Sequence, residues 1–119
     1  MAKVREVMKT NLHTVTPSTT LGEAVTLMAH HRIGSTLVMN GTQLVGIFTE
    51  RDTVRAISQS SDAPAHEISS WMTHNPTTVG PDDDADSALR VMLDKGFRHL
   101  PVMQDGVLVG IVSMRDLAG

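Results

Sequence analysis

Two stretches of the chain each place a hydroxyl side chain three residues ahead of an aspartate. One reads Gly46-Ile47-Phe48-Thr49-Glu50-Arg51-Asp52 and the other reads Gly110-Ile111-Val112-Ser113-Met114-Arg115-Asp116. If a helix begins at the hydroxyl, the carboxylate lies in the first helical turn, where it can accept hydrogen bonds from the two hydroxyls of a ribose. The spacing therefore predicts two nucleoside sites. The alternative is that both motifs are only helix caps.

The two stretches belong to an internal repeat. Sliding the chain by 64 residues without a gap lays Val4 to Arg55 on Ile68 to Gly119, with 15 identical pairs among the 52. A unit of about 50 residues is too small for a stable core of its own, so we expect the two copies to share one. The predicted boundaries are residues 1–57 and 66–119 for the repeats and residues 58–65 for a polar linker.

Length and composition exclude several classes of protein. The 119 residues are 40% hydrophobic and 19% charged, with a formal net charge of −3 and no cysteine. This balance argues against a nucleic-acid partner, and the lack of cysteine excludes disulfides and thiolate chemistry. The N-terminus lacks the apolar run of a signal peptide, and no stretch is long enough to span a membrane. We therefore expect a cytoplasmic protein without a membrane partner.

Each repeat predicts the order strand, helix, strand, strand, helix. In the first repeat these elements follow a short helical lead at Lys3 to Met8, and they are His13 to Thr16, a helix capped by Thr20 that runs to His31, Ser35 to Met39, an Asn40-Gly41 turn, Gln43 to Phe48, and a helix from Thr49. In the second repeat they are Thr77 to Val79, Asp83 to Lys95, Leu100 to Met103, an Asp105-Gly106 turn, Val107 to Val112, and a helix from Ser113. The predicted fold class is α+β, built from two β-α-β-β-α repeats.

The duplicated signature, Gly followed by two apolar residues, Ser or Thr, two variable residues and Asp, resembles that of the cystathionine β-synthase (CBS) domain. From Val4 to Ala118 the chain is similar to a tandem CBS pair, or Bateman module. The resemblance implies two repeats that face each other about a pseudo-twofold axis, two clefts for adenosine-containing ligands such as AMP, ADP or ATP, and a homodimer. It also implies a regulatory module that signals to an unknown effector protein in trans.

The resemblance implies a set of binding residues for each cleft. For the cleft of Asp116 they are Ile111, Ser113, Arg98 and His99, completed by Thr10, Ile33 and Gly34. For the cleft of Asp52 they are Ile47, Thr49, Gly34 and Ser35. In related modules the positions of Arg98 and His99 often contact a phosphate, and Gly34 and Ser35 replace them in the first repeat. We therefore expect the Asp116 cleft to hold a phosphorylated ligand better, and the Asp52 cleft to take a nucleoside or stay empty.

Several alternatives stay open. Arg98 and His99 can instead form a surface salt bridge with the carboxylates between Asp82 and Asp86. That acidic run suits a helix start and lacks the spaced ligands of a calcium loop, although Mg²⁺ sensing is a third hypothesis. His30 and His31 diverge on a helix, so we expect no metal site. With no catalytic triad or nucleotide-binding glycine loop, we predict no enzyme and no required cofactor. The main alternative function is a ligand-free dimerisation or protein-interaction module.

Overall fold

The structure is a computed structural model that describes residues 2–118. In chain order its helices and strands are α1 (Val4–Val7), β1 (Thr14–Val15), α2 (Leu21–His31), β2 (Ser35–Asn40), β3 (Gln43–Thr49), α3 (Glu50–Gln59), β4 (Thr73–His74), α4 (Ala85–Lys95), β5 (His99–Gln104), β6 (Val107–Ser113) and α5 (Met114–Ala118). Turns of 3-10 helix lie at Ala63–Ala65 and Ile68–Ser70. The predicted α+β class with two β-α-β-β-α repeats is confirmed.

The chain folds into two compact units that do not coincide with the sequence repeats. The central unit is His13–Pro76, and the terminal unit joins residues 2–12 to residues 77–118. Each unit therefore combines the main strands and helices of one repeat with the lead segment of the other. Residues 58–65, predicted as a linker, contain the end of α3 and a turn whose Ala63 is buried in the core of the central unit.

The central unit contains a four-stranded sheet in the order β1-β2-β3-β4, with β1 parallel to β2 and the other pairs antiparallel. Its helix α2 begins with the predicted capping box, because Glu23 N donates to Thr20 Oγ1 at 3.1 Å and Thr20 N donates to Glu23 Oε1 at 2.9 Å. The apolar face of α2 packs into a core that contains Leu21, Ala24, Met28, Val38, Phe48, Ala56, Ala63, Ile68 and Met72.

The terminal unit is built around the antiparallel hairpin of β5 and β6. Asp105 and Gly106 join these strands with φ values of 52° and 79°, as a type I′ turn requires, and so the turn predicted there is confirmed. The core of this unit includes α1 and α4, and its buried members are Val4, Val79, Ala88, Met92, Leu100, Val102 and Val112.

Two details of the prediction are wrong. The first hairpin turns at Gly41 and Thr42 rather than at Asn40-Gly41, since Asn40 pairs with Gln43. The strand predicted over residues 77–79 is reduced to an isolated bridge from Val79 to Val102. In the central unit, Leu37 N donates to His13 O at 3.3 Å. The residue equivalent to Leu37 is Pro101, which has no N–H to donate, and this removes the corresponding hydrogen bond.

Candidate functional site

The hydroxyl and the aspartate of each signature form a reciprocal capping box. In the central unit, Thr49 N donates to Asp52 Oδ2 at 3.0 Å, and Asp52 N donates to Thr49 Oγ1 at 3.3 Å. In the terminal unit, Ser113 N donates to Asp116 Oδ2 at 2.9 Å, and Asp116 N donates to Ser113 Oγ at 3.2 Å. Both motifs therefore cap the helix that follows them. The cap uses Oδ2 of each carboxylate and leaves Oδ1 to other partners.

A different cation lies beside Oδ1 in each unit. Lys9 Nζ is 3.5 Å from Asp116 Oδ1, and the lysine side chain is 70% exposed. Arg55 Nη2 is 3.4 Å from Asp52 Oδ1 and also donates to the backbone oxygen of Trp71 at 2.8 Å. The aspartates themselves are largely shielded from solvent, with side chains 10% exposed at Asp116 and 12% exposed at Asp52. The two carboxylates thus make the same capping hydrogen bonds but have different cations beside them.

Lys9 reaches Asp116 because its backbone is bound to the strand that carries the signature. Lys9 N donates to Ile111 O at 2.8 Å, and Ile111 N donates to Lys9 O at 3.0 Å. Thr10 follows Lys9 and is exposed. Since both backbone groups of Ile111 are bonded to Lys9, a base lying over Ile111 would have its edge read by other backbone groups. In the central unit, β4 occupies the equivalent position and pairs Thr73 with Ile47.

The glycine of each signature allows this close approach of the lead segments. A Cβ atom at Gly110 would lie 2.7 Å from Met8 Sδ and 3.0 Å from the backbone oxygen of Lys9. A Cβ atom at Gly46 would collide with the side chain of Met72. Met8 and Met72 are equivalent in the two repeats, so each signature glycine faces the same methionine of a lead segment. The glycine therefore serves the packing that brings Lys9 to its position.

Arg98 and His99 lie beside the signature of the terminal unit. Met114 N donates to Arg98 O at 2.8 Å, which places Arg98 at the start of α5. His99 pairs with Ser113 in the register of β5 and β6. The structure therefore brings both residues to the region of Ser113 and Asp116, and their role in binding a ligand stays a prediction.

Gly34 and Ser35 have the same relationship to the signature of the central unit. Glu50 N donates to Gly34 O at 3.1 Å, and Ser35 pairs with Thr49 in the register of β2 and β3. Ile33, just before Gly34, packs against the core of the central unit. Its role and that of Gly34 in completing the Asp116 cleft stay a prediction.

The acidic run at the start of α4 is engaged with α1 and its flanks. Lys3 Nζ is 3.0 Å from Asp84 Oδ1, and Arg5 Nη2 is 2.6 Å from Asp82 Oδ1. Over residues 2–118, no group of three or more histidine, aspartate or glutamate side chains is arranged to hold a metal ion. Within the same described part of the chain, no helix has the length and apolar character needed to cross a membrane.

Three histidines form a cluster at the end of α2. The rings of His13 and His31 stack with centroids 3.9 Å apart, and the ring of His30 meets His31 edge-on at 4.9 Å. Loss of solvent around His31, with the positive charge of His13 and His30 when protonated, lowers the pKa of His31. The environment of His31 in this cluster therefore disfavours its charged form.

Sequence reasoning missed three residues of the site: Lys9, Arg55 and Trp71. Lys9 stands beside the identical Met8/Met72 pair, but its partner Asp116 is more than a hundred residues away. Arg55 follows Asp52 by three residues on α3, a spacing that indicates a side-chain pair on a helix. That spacing was the one signal available. The contact of Arg55 with Trp71 depends on tertiary packing.

Comparison with known proteins agrees with the geometry. The family model described as "CBS domain" matches twice, at residues 4–59 and 66–119. A 17.7 kDa protein of Acidianus ambivalens is 41% identical over 98% of this chain and 71% of its own length. The CBS domain-containing protein YhcV of Bacillus subtilis is 33% identical over 99% of this chain and 84% of its own.

Solved structures share the whole fold. The CBS-domain containing protein ATU1752 from Agrobacterium tumefaciens has a TM-score of 0.94 at 30% identity, covering 98% of this chain and 97% of that one. CBSX2, solved in complex with AMP, has a TM-score of 0.86 at 26% identity, covering 99% and 94%. The CBS domain pair of MJ0100, solved with 5′-methylthioadenosine and S-adenosyl-L-methionine, has a TM-score of 0.90 at 25% identity, covering 98% and 93%. The duplicated signature, the two repeats and these matches show that the chain belongs to the CBS domain family, as a tandem pair of CBS domains.

Proposed function

We propose that this CBS pair is a regulatory module that binds adenosine-containing ligands at Asp52 and Asp116. The observation that carries the proposal is the state of the two carboxylates, each fixed through Oδ2 by a capping box with Oδ1 turned to a cation. The AMP complex of CBSX2 and the adenosyl complex of MJ0100 support the ligand class.

The capping box suits the carboxylate for binding a ribose. Oδ2 also accepts from the side-chain hydroxyl of Thr49 or Ser113, and it can accept a hydroxyl of the ligand in its place when that side-chain hydroxyl turns away. Oδ1 can accept the neighbouring hydroxyl once its cation moves aside or turns to another group of the ligand. Because the capping bonds hold the carboxylate in one orientation, binding a ribose costs little further ordering of that side chain.

The two sites differ in positive charge, and this difference favours phosphate at Asp116. Arg98, His99 and Lys9 lie around the signature of the terminal unit. In the central unit, Gly34 and Ser35, which carry no charge, replace Arg98 and His99, and the cation beside Asp52 is Arg55, which is also bound to the backbone oxygen of Trp71. We therefore assign the phosphorylated ligand to Asp116 and a nucleoside to Asp52.

In the proposed mechanism, the ligand changes the shape of a homodimer, and a separate effector protein in the cytoplasm responds to that change. The module itself carries out no reaction, because the proposed groups bind a ligand and none is placed to transfer a proton or attack a bond. The competing candidate is a ligand-free dimerisation or interaction module. The capping boxes favour that alternative in one respect, since they give both aspartates a structural role that needs no ligand.

A thermal-shift panel tests the proposal against this alternative. The purified protein is heated with AMP, ADP, ATP, NAD or S-adenosylmethionine, with and without Mg²⁺, and GMP serves as the control. A ligand at about 100 times its Kd stabilises the folded state by about 2.7 kcal/mol, which corresponds to a shift of several degrees. A shift with adenosine compounds that GMP does not produce supports the proposal. No shift with any compound contradicts it and favours the interaction module.

A further inference from the structure

Arg55 connects the aspartate of the central unit to the only tryptophan of the chain. Its Nη2 lies 3.4 Å from Asp52 Oδ1 and donates to the backbone oxygen of Trp71 at 2.8 Å. Its guanidinium carbon lies 5.5 Å from the centre of the Trp71 ring, within the range of a cation–π interaction. One side chain therefore contacts the proposed ribose carboxylate and the indole at the same time.

A second set of contacts holds the indole ring of Trp71. Its Nε1 donates to His66 Nδ1 at 3.1 Å, and the two rings are parallel within 3°. His66 Nε2 lies 3.2 Å from Asp62 Oδ1. Because Nδ1 of His66 accepts this hydrogen bond through its lone pair, the proton of the neutral imidazole is on Nε2 and points toward Asp62. The indole is thus anchored by its own hydrogen bond, and it can keep its position when Arg55 moves.

We propose that Arg55 competes with the ligand for Asp52: the guanidinium occupies the Oδ1 atom that a ribose diol needs, and a nucleoside displaces it from both Asp52 and Trp71. The inference rests on the proposed function and adds the regulation of the Asp52 site. It identifies Arg55 as the residue that sets the affinity of that site.

The strength of the contact suits a displaceable competitor. Arg55 is 46% exposed, the pair is an i,i+3 contact at 3.4 Å, and exposed ion pairs of this kind are weak. The bond to the backbone oxygen of Trp71 and the contact with its ring add to the hold on the guanidinium. Lys9, by comparison, meets Asp116 through a 70% exposed side chain that can turn toward a ligand phosphate. We therefore expect the Asp116 site to fill first and the Asp52 site to fill at higher ligand concentration.

The fluorescence of Trp71 reports on this event directly, because the chain has one tryptophan and Arg55 lies over its ring. Adenosine is the probe, since it carries the ribose without a phosphate that could bind Arg55. Adenosine binding is measured by calorimetry and by Trp71 emission in the wild type and in Arg55→Gln. Arg90→Gln, which removes one positive charge from α4 in the terminal unit, is the matched control, and thermal unfolding verifies that all three proteins are folded.

Three results are expected. First, adenosine changes the Trp71 emission of the wild type saturably. Second, the emission of Arg55→Gln without ligand already differs from that of the wild type in the same direction. Third, Arg55→Gln binds adenosine at the Asp52 site about two- to five-fold more tightly than the wild type does. Arg90→Gln behaves as the wild type does. Equal or weaker adenosine binding by Arg55→Gln overturns the inference, as does wild-type adenosine binding at two sites without a change in emission. If calorimetry detects no binding of any adenosine compound by any of the three proteins, the proposed function fails and the inference fails with it.

Discussion

Lys9 Nζ lies 3.5 Å from Asp116 Oδ1, so a residue near the start of the chain completes the charge distribution around the signature of the second repeat. The backbone pairing of Lys9 with Ile111 fixes this relationship. In the central unit, Thr73 pairs with Ile47 at the equivalent position and supplies no charge. Because Lys9 and Thr73 occupy equivalent positions in the two lead segments, the two sites are chemically unequal.

This relationship predicts that Lys9 distinguishes a phosphorylated ligand from a nucleoside. We expect Lys9→Gln to lower the affinity for AMP about three- to ten-fold, because a charge-assisted hydrogen bond to phosphate is lost at an exposed position. The affinity for adenosine should change less than about two-fold. Calorimetry with both ligands measures the ratio, and Lys95→Gln on α4 is the control for loss of charge. An equal loss of affinity for AMP and adenosine would show that Lys9 does not contact phosphate.

A second prediction concerns the signature glycine of the terminal unit. Gly110→Ala should lower the free energy of unfolding by about 1 to 3 kcal/mol, because the new methyl group presses on the backbone oxygen of Lys9 and on Met8. Gly80→Ala is the control, since its Cβ would meet Asp83 at ordinary contact distances of 3.6 Å or more. Urea unfolding compares the two variants. Equal stability in both would contradict the packing role of Gly110.

A third prediction concerns a buried hydroxyl in the central unit. Thr36 is 1% exposed, and its Oγ1 has no hydrogen-bond partner among the described residues. Thr36→Val keeps the shape of the side chain and removes the unsatisfied oxygen, so it should raise the free energy of unfolding by about 1 kcal/mol. Val38→Thr is the reciprocal control and should lower it, because Val38 is fully buried in the same strand. Denaturant unfolding measures both, and a destabilising Thr36→Val would mean that the hydroxyl has a partner.

A fourth prediction is a pH dependence that comes from the histidine cluster. The pKa of His31 is lowered in the folded protein, chiefly by desolvation and then by His13 and His30. As the pH falls below about 6.5, the ordinary histidine pKa, the unfolded chain therefore binds more protons than the folded one. The free energy of unfolding falls over the range from this value down to the lower pKa of His31 in the folded protein.

The histidine prediction is tested by measuring urea unfolding at about pH 7.5 and about pH 5.5 for the wild type and for His31→Gln. Arg32, next to His31, and the imidazoles of His13 and His30 are the charged or titratable neighbours that the variant retains. We expect the wild type to lose more stability than His31→Gln over this range. An identical loss in both proteins would exclude His31 as the source.

Local signals in the sequence predicted most of the fold. Features that depend only on residues near one another in the chain were predicted correctly. They are the capping box of Thr20 and Glu23, the helix α2 and the Asp105-Gly106 turn. The strand over residues 77–79 failed for a tertiary reason, because its expected partner in β5 is Pro101. The shift of the first turn to Gly41 and Thr42 depends on the register of two strands, which the Asn-Gly dipeptide alone does not set.

The candidate site was predictable to a similar extent. Duplication of the signature indicated Asp52 and Asp116, and their capping boxes follow from the Thr-x-x-Asp and Ser-x-x-Asp spacing. The cations at Oδ1 were not found. Lys9 reaches Asp116 because the lead segment of the first repeat packs in the terminal unit. The hydrogen bond from Arg55 to Trp71 requires the packing of the segment after α3. No short-range pattern encodes either contact.

The central claim is that Asp116 binds the ribose of an adenine nucleotide, and the most direct test is calorimetry of AMP with the wild type and with Asp116→Asn. The asparagine keeps an acceptor oxygen for the cap of Ser113 and loses the negative charge, so folding should be nearly preserved. Asp94→Asn on α4 is the control. We predict AMP binding by the wild type and the control, and an affinity lower by about tenfold or more in Asp116→Asn. Unchanged AMP affinity in Asp116→Asn, or no AMP binding by the wild type, would contradict the account.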